Sequence, residues 1–515
     1  MIVMPQIIVI NFGSQVAHLI SRRIREMGVY AELVPSGVPL SDIQKLRPLG
    51  IILSGGPSSV NEQGAPVCDT GILSMGIPIL GICYGHQLLA RFVGGKVSNS
   101  DVKEFGKKSL TKHGKSLLLR PLAAREQIWM SHGDSVISLP KGFVVTGNTD
   151  TCPIAAFENP ERGLYAVQFH PEVSHTPKGN GLLRAFVFDI CKAKRDWDVK
   201  NLSQKLMREI QEKVKDAHVL MGISGGVDST VAAILIRRAI GKQLHCIFVD
   251  HGLLRKNEAK EVEQSYRHLG LDIHYVDASG TFLRKLEGVT DPEKKRKIIG
   301  HTFIGVFEKK ARELEKKHPA ITFLAQGTIY PDRIESAAPS NAAAKIKSHH
   351  NLTLPEKMKL EVIEPLRDLY KDSVRSVGRE LGIDEKLILR HPFPGPGLAV
   401  RILGAITPDR VKILQEADHI FISELKKSGY YEKTWQAFAA LLPVKAVGVM
   451  GDARTYEYII SLRAVTSIDA MTADWAKLPQ EFLEAVSNRI INEVKGVNRV
   501  VYDITQKPPG TIEYE

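Results

Sequence analysis

Cysteine is scarce in this chain of 515 residues, with five in all: Cys68, Cys83, Cys152, Cys191 and Cys246. The number is odd, the spacing is wide and there is no CxxC pair or histidine cluster along the sequence. A disulfide framework and a cysteine-type zinc site are therefore not expected, and the thiols fit the reducing cytoplasm. Long apolar runs are lacking as well. None reaches the roughly 20 residues that cross a bilayer, so no membrane partner is expected. Met1–Ile10 carries one strand's worth of apolar residues without a basic leader, and no secretion signal is read there. Repeats and biased tracts are absent too, which excludes solenoids and disordered low-complexity chains. What remains is a globular composition, 43% hydrophobic and 24% charged, at a length that predicts about three domains.

The formal net charge is +12. It divides as +5 over residues 1–198, +8 over 199–390 and −1 over 391–515. The excess is greatest in the middle third, where small phosphorylated substrates would want it as much as nucleic acid would. Its densest run, Lys294-Lys295-Arg296-Lys297, has acidic neighbours and a helical pattern. It reads as a solvated helix face, and no nucleic-acid partner is predicted.

The middle third also holds the most informative segment, Ser224-Gly225-Gly226-Val227-Asp228-Ser229-Thr230. It follows the apolar run Val219–Ile223 and leads into the helical pattern Val231–Ile236. A strand that breaks into two glycines and then starts a helix presents free N–H groups at a positive helix end, which is a cradle for phosphate or pyrophosphate. Ser224, Ser229 and Thr230 add hydroxyls, and Asp228 is placed to hold Mg²⁺ against phosphate oxygens. No lysine follows the glycines, so this is not the GxxxxGK[ST] loop.

A second motif lies in the first 190 residues, where short β-type runs (Ile7–Ile10, Gly50–Leu53, Pro78–Ile82, Gly163–Phe169) alternate with helical stretches. Gly81-Ile82-Cys83-Tyr84-Gly85 sits between a strand and a helix and has the form of a nucleophile elbow with cysteine as the nucleophile. The helix start beside it favours a thiolate. His170 and Glu172, in Gln168-Phe169-His170-Pro171-Glu172, point the same way on extended backbone, so the carboxylate can orient the imidazole. His132 with Asp134 is the competing pair, in a more turn-like context, and His170 is preferred. Gly56, after the strand Ile51–Leu53, and the N–H of Tyr84 are candidate oxyanion donors.

GxCxG followed by HPE resembles the class I glutamine amidotransferases, and SGGVDS resembles the pyrophosphatase loop of adenylating ligases. The fusion of the two, with VDHGLLRKNE, VTDPEKKRKIIG, AQGTIYPD, HPFPGPGLAVRILG and KPPGTIEYE, makes the whole chain similar to the glutamine-hydrolysing GMP synthases. The resemblance implies two layered α/β domains with largely parallel sheets and a smaller α/β C-terminal domain. The boundaries expected are 5–198 for the amidotransferase, 199–390 for the ATP pyrophosphatase and 391–515 for a part that dimerises and binds XMP. It further implies Cys83 as nucleophile, His170 as general base, Glu172 as its orienting acid, and Arg296, Lys507, Ile512 and Glu513 as XMP contacts. Glutamine, ATP with Mg²⁺, and XMP are the implied substrates, in a cytoplasmic homodimer. On sequence alone the plain alternative for the tail is a frayed, solvated end. Three positions depart from the family pattern: Asn11 stands for a common Asp, Tyr514 for a frequent Trp, and the lid-like segment 345–355 is shortened after His349-His350-Asn351. A tRNA-thiolating enzyme, the main rival, wants reactive cysteines near its loop, whereas Cys246 lies within a β-type run.

Overall fold

Ile7-Ile8-Val9-Ile10 is apolar at every position, as a strand covered on both faces requires. In the computed structural model of the chain it becomes β1 (Ile7–Asn11), buried in the first of two compact units that meet in the sequence at Val199–Lys200. The structure describes residues 4–14, 16–197, 202–332, 360–450, 452–467 and 472–515. The expected lid at 345–355 lies outside them.

In the first unit β1 is joined by β2 (Ala31–Pro35), β3 (Gly50–Leu53), β4 (Ile79–Ile82), β5 (Lys96–Lys112), β6 (Arg125–Ser138), β7 (Val144–Asn148), β8 (Ala156–Asn159) and β9 (Leu164–Val167). They form one nine-stranded sheet in the order β2-β1-β3-β4-β9-β8-β7-β5-β6. The half from β2 to β9 is parallel; β8, β7, β5 and β6 extend it in antiparallel fashion. Apolar clusters lie on both sides, one through Val9, Ile52, Leu80 and Val167 and the other through Ile8, Ile51, Ile79 and Ala166. Alternate residues of the same strands thus feed opposite faces.

The second unit contains the all-parallel sheet β12-β11-β10-β13-β14, built from β10 (His218–Ile223), β11 (Leu244–Asp250), β12 (Ile273–Asp277), β13 (Ile321–Ala325) and β14 (Glu361–Ile363). A four-stranded sheet follows in the same unit: β15 (Gln436–Met450) and β16 (Ala453–Thr466) make a long hairpin, flanked by β17 (Asp474–Trp475) and β18 (Val497–Tyr502). One apolar core runs from Leu220 and Leu324 in the parallel sheet through Leu398 and Leu414 to Leu462 and Ile490. It therefore joins residues on both sides of position 391.

The basic run at 294–297 departs from its expected place. The helix Pro292–Lys317 begins with Asp291, whose side chain caps Lys294 N–H, and turns Lys295 inward. Lys295 is fully buried, its Nζ donating to the Ile402 carbonyl at 2.7 Å and pairing with Glu515. A tertiary partner for the ammonium overrides the pattern of a solvated face.

Candidate active site

The turn after β4 is unusually tight. Cys83 has φ +53° and ψ −107°, a strained combination for any residue but glycine, and it caps the helix Tyr84–Phe92. Its neighbours must be glycine for lack of space: a Cβ on Gly81 would lie 2.5 Å from the Gly85 carbonyl oxygen, and one on Gly85 would lie 2.2 Å from that of Leu53. The sequence pattern is thus a record of close packing between β3, β4 and the helix.

His170 follows β9 and its Nδ1 lies 2.7 Å from Glu172 Oε1. Burial opposes a charge on this imidazole, but the Glu172 carboxylate and the adjacent Cys83 sulfur more than offset it, holding His170 well above the usual histidine range. Gly55 packs against both partners; a Cβ there would lie 3.0 Å from His170 Cε1 and 3.5 Å from Cys83 Cβ. The SGG segment after β3 therefore borders the sulfur, and a Cβ on Gly56 would come within 3.3 Å of the Tyr84 ring. Among the described residues neither the Gly56 nor the Tyr84 N–H donates to a protein acceptor.

His132 is elsewhere engaged. Its Nε2 lies 3.0 Å from Glu104 Oε2 and its Nδ1 lies 2.8 Å from the Asp134 carbonyl oxygen. Both ring nitrogens are thus spoken for, one by the Glu104 carboxylate and one by backbone. The Asp134 backbone, not its carboxylate, meets the ring. Thr149 and Thr151 donate to the other Glu104 oxygen. Burial would raise the Glu104 carboxyl, but the hydrogen bonds from His132, Thr151 and Thr149 bring it down to about 2. The strand thus fixed, β6, backs the triad: the Ser131 carbonyl accepts from the Cys83 thiol at 3.5 Å and the Trp129 carbonyl accepts from His170 N–H at 3.0 Å.

In the second unit the loop after β10 folds on itself. Gly225 has φ +79°, Gly226 caps the helix Val227–Ile240, and Ser224 Oγ lies 3.2 Å from Ser229 Oγ. Thr230 turns inward, donating to the Gly226 carbonyl at 2.7 Å and meeting the Tyr266 hydroxyl, so it shapes the loop. Asp228 Oδ2 pairs with Lys371 Nζ at 2.5 Å, while its Oδ1 is buried without a hydrogen-bond partner among the described residues. From outside the loop, Arg390 donates to the Gly225 carbonyl at 2.9 Å and pairs with buried Glu258. Gly327 is pressed against it, since a Cβ there would meet Ser229 N at 3.0 Å.

The tail is docked rather than frayed. Glu513 receives two hydrogen bonds from Arg401, at 2.8 and 3.0 Å, and one from Gln436 at 2.6 Å. Arg401 is fully buried, stacked on Phe438. The Ile512 side chain packs with Phe438 and Val465, and its carbonyl accepts from Arg463. Arg296 donates to the Glu515 carbonyl, and the Lys507 backbone pairs with Ala473. At the two conservative departures, Asn11 Oδ1 accepts from Gly13 N–H and the Tyr514 hydroxyl lies 2.7 Å from Ser461 Oγ.

Residues 8–190 match the class-I glutamine amidotransferases, 199–298 match NAD synthase, and 423–514 match the GMP synthase C terminal domain. The chain is 56% identical to the GMP synthase [glutamine-hydrolyzing] of Carboxydothermus hydrogenoformans over 512 residues, 99% of each chain. It is 53% identical to that of Aquifex aeolicus over 510 residues, again 99% of each. The chain belongs to the glutamine-hydrolysing GMP synthases. Among solved structures, a glutamine amidotransferase from Thermotoga maritima aligns over 37% of this chain and 99% of its own, at 18% identity and a TM-score of 0.31.

In this GMP synthase chain the two turns carry sequence motifs, whereas the groups that hold them do not. Glu104 was hidden in a polar strand, Lys371 and Arg390 lie more than a hundred residues from the loop they touch, and the Ser131 and Trp129 carbonyls are backbone groups that no side-chain motif announces. Cys246 is fully buried in β11, and burial pushes its thiol up to about 12, the reverse of a reactive cysteine. Among the described residues no helix is long and apolar enough to cross a membrane.

Proposed function

We propose that Cys83, His170 and Glu172 release ammonia from glutamine, and that the Ser224–Thr230 loop holds ATP while XMP is activated and aminated. The close His170–Glu172 pair beside the sulfur is the observation that carries this reading. The Cys83 thiolate attacks the carboxamide carbon, His170 gives its proton to the departing ammonia, and water then splits the thioester to glutamate. Glu172 keeps the imidazole oriented, and the Gly56 and Tyr84 N–H groups stabilise the oxyanion.

In the second unit the xanthine O2 attacks the α-phosphorus of ATP, pyrophosphate leaves, and ammonia displaces AMP from C2 to give GMP. Adenylation is needed because the bare C2 oxygen is a poor leaving group. The loop amides with Ser224 and Ser229 face the pyrophosphate. The orphaned Asp228 Oδ1 fits a hard cation, and Asp228 would hold the Mg²⁺ that neutralises phosphate charge when bound. Arg296, Lys507, Ile512 and Glu513 are assigned to XMP, with Arg401 and Gln436 setting the Glu513 carboxylate in place. We divide the chain at 5–198, 199–390 and 391–515, assign the cytoplasm on its five buried free thiols, and infer a homodimer. Exposed Val447, Val449 and Tyr456 on the β15–β16 hairpin support a partner there.

The test is GMP formation from XMP and Mg·ATP with either glutamine or ammonium, in wild type and Cys83→Ala. Loss of the glutamine-driven reaction alone is expected. Loss of both, or of neither, overturns the assignment of Cys83.

A further inference from the structure

Four histidines gather at the edge of the second unit's parallel sheet opposite the Ser224–Thr230 loop. His218 opens β10, His245 and His274 are the second residues of β11 and β12, and His318 follows the helix Pro292–Lys317. Parallel strands bring their N-terminal ends to one edge, which is why residues a hundred apart meet. The His245 ring centre lies 4.4 Å from that of His318, 5.2 Å from His218 and 6.0 Å from His274. His218 Nδ1 is 2.9 Å from His245 Nε2. One ring nitrogen from each of His218, His245 and His318 falls within 4.8 Å of the other two.

Left to themselves, these rings are poorly served. His245 Nδ1 and His274 Nε2 are buried without a hydrogen-bond partner among the described residues. Asp272 Oδ2 stands 3.8 Å from the first and 3.6 Å from the second. Converging imidazoles with a carboxylate behind one of them are the ligand set of a borderline-soft divalent ion.

We propose that His218, His245 and His318 bind a transition-metal ion of the Zn²⁺ class, with Asp272 orienting His245 from behind. Tetrahedral Zn–N bonds of about 2.0–2.1 Å separate two ligand nitrogens by roughly 3.4 Å. The close His218–His245 pair therefore opens by about half an ångström and His318 swings in. His218 and His318 are only partly buried, which leaves the fourth position to water. Mg²⁺ does not compete, because it takes oxygen ligands. The ion ties β10, β11 and the end of the 26-residue helix together far from the phosphate loop, so it acts on stability and not on turnover.

Chelator-stripped full-length protein titrated with Co²⁺ tests this. One equivalent should give the visible absorption of tetrahedral cobalt on nitrogen ligands, without a sulfur-to-metal band in the near ultraviolet. Zn²⁺ should displace it and raise the unfolding temperature by mass action, with ammonium-driven GMP formation unchanged. His318→Gln, at a partly exposed position, should weaken Co²⁺ at least about tenfold, and Asp272→Asn by about tenfold. A sulfur band would place the ion at Cys83 or at the Glu104–His132–Cys152 group and overturn the proposal. So would an unchanged affinity in both variants, or no tight cobalt site at all.

Discussion

Replacing Glu104 by Gln removes the charge of a carboxylate that is wholly buried and held by His132, Thr149 and Thr151. Its carboxyl is lowered from an ordinary 4.5 to about 2. That gap of roughly 2.5 units corresponds to about 3 kcal/mol at about 1.36 kcal/mol per unit, in line with the ~3–5 kcal/mol lost when one partner of a buried pair is removed. Because the folded value is depressed, the contribution is complete above pH 4.5 and disappears as pH falls toward 2. Urea unfolding of the full chain should show Glu104→Gln about 3 kcal/mol less stable near pH 7. The gap should narrow once the pH drops below the ordinary carboxylate value. Since β6 carries the carbonyls that meet Cys83 and His170, glutamine-driven GMP formation should fall while the ammonium-driven reaction persists. A variant as stable as wild type near neutrality, or a gap that widens in acid, would refute the reasoning.

Three further outcomes follow from named contacts. Gly85→Ala would set a Cβ 2.2 Å from a backbone oxygen of β3, so the elbow must shift; steady-state assays should show glutamine-driven synthesis down by about 100-fold and ammonium-driven synthesis intact. Arg390→Gln frees the Gly225 carbonyl and leaves buried Glu258 without its ion-pair partner, held by the Arg255 N–H; unfolding should register a loss of about 3 kcal/mol, and both nitrogen sources should fail together with a higher KM for ATP. At Cys83 the backbone strain, about 1–3 kcal/mol, exceeds the roughly 0.4–1 kcal/mol that glycine adds to the unfolded chain's entropy. Denaturation should therefore find Cys83→Gly more stable than Cys83→Ala by about 1 kcal/mol.

Legibility followed the range of the interactions. The strands at Gly50–Leu53 and Leu244–Asp250 and the helix Leu202–Val214 fall where their apolar patterns place them, because a buried strand or an amphipathic helix is specified by its own residues. The i, i+2 spacing of His170 and Glu172 pairs them, although they meet at 2.7 Å in the bends that follow β9 and not on the extended backbone that the spacing suggests. The hairpin β5–β6 was not visible. Lys96–Lys112 is rich in lysine and serine, and its partner strand alternates buried and open positions without a sustained apolar run. Such a strand is set by the neighbour it pairs with rather than by its own composition.

The same distinction explains why the chemistry was easier to read than its support. A nucleophile elbow and a phosphate loop must concentrate glycine, serine and one reactive group within a few residues, since the turn itself makes the site. Holding that turn in a strained conformation is a different task, met by whatever the fold brings alongside: the Leu53 carbonyl against Gly85, the β6 carbonyls against Cys83 and His170, Arg390 against Gly225. Those groups need no local pattern, and three of them are backbone. The buried Glu104–His132 pair is the exception, because it places two ionisable residues on facing strands of one hairpin, at register partners. Once that register is known, a buried carboxylate opposite a buried imidazole marks the strand whose position the site cannot do without.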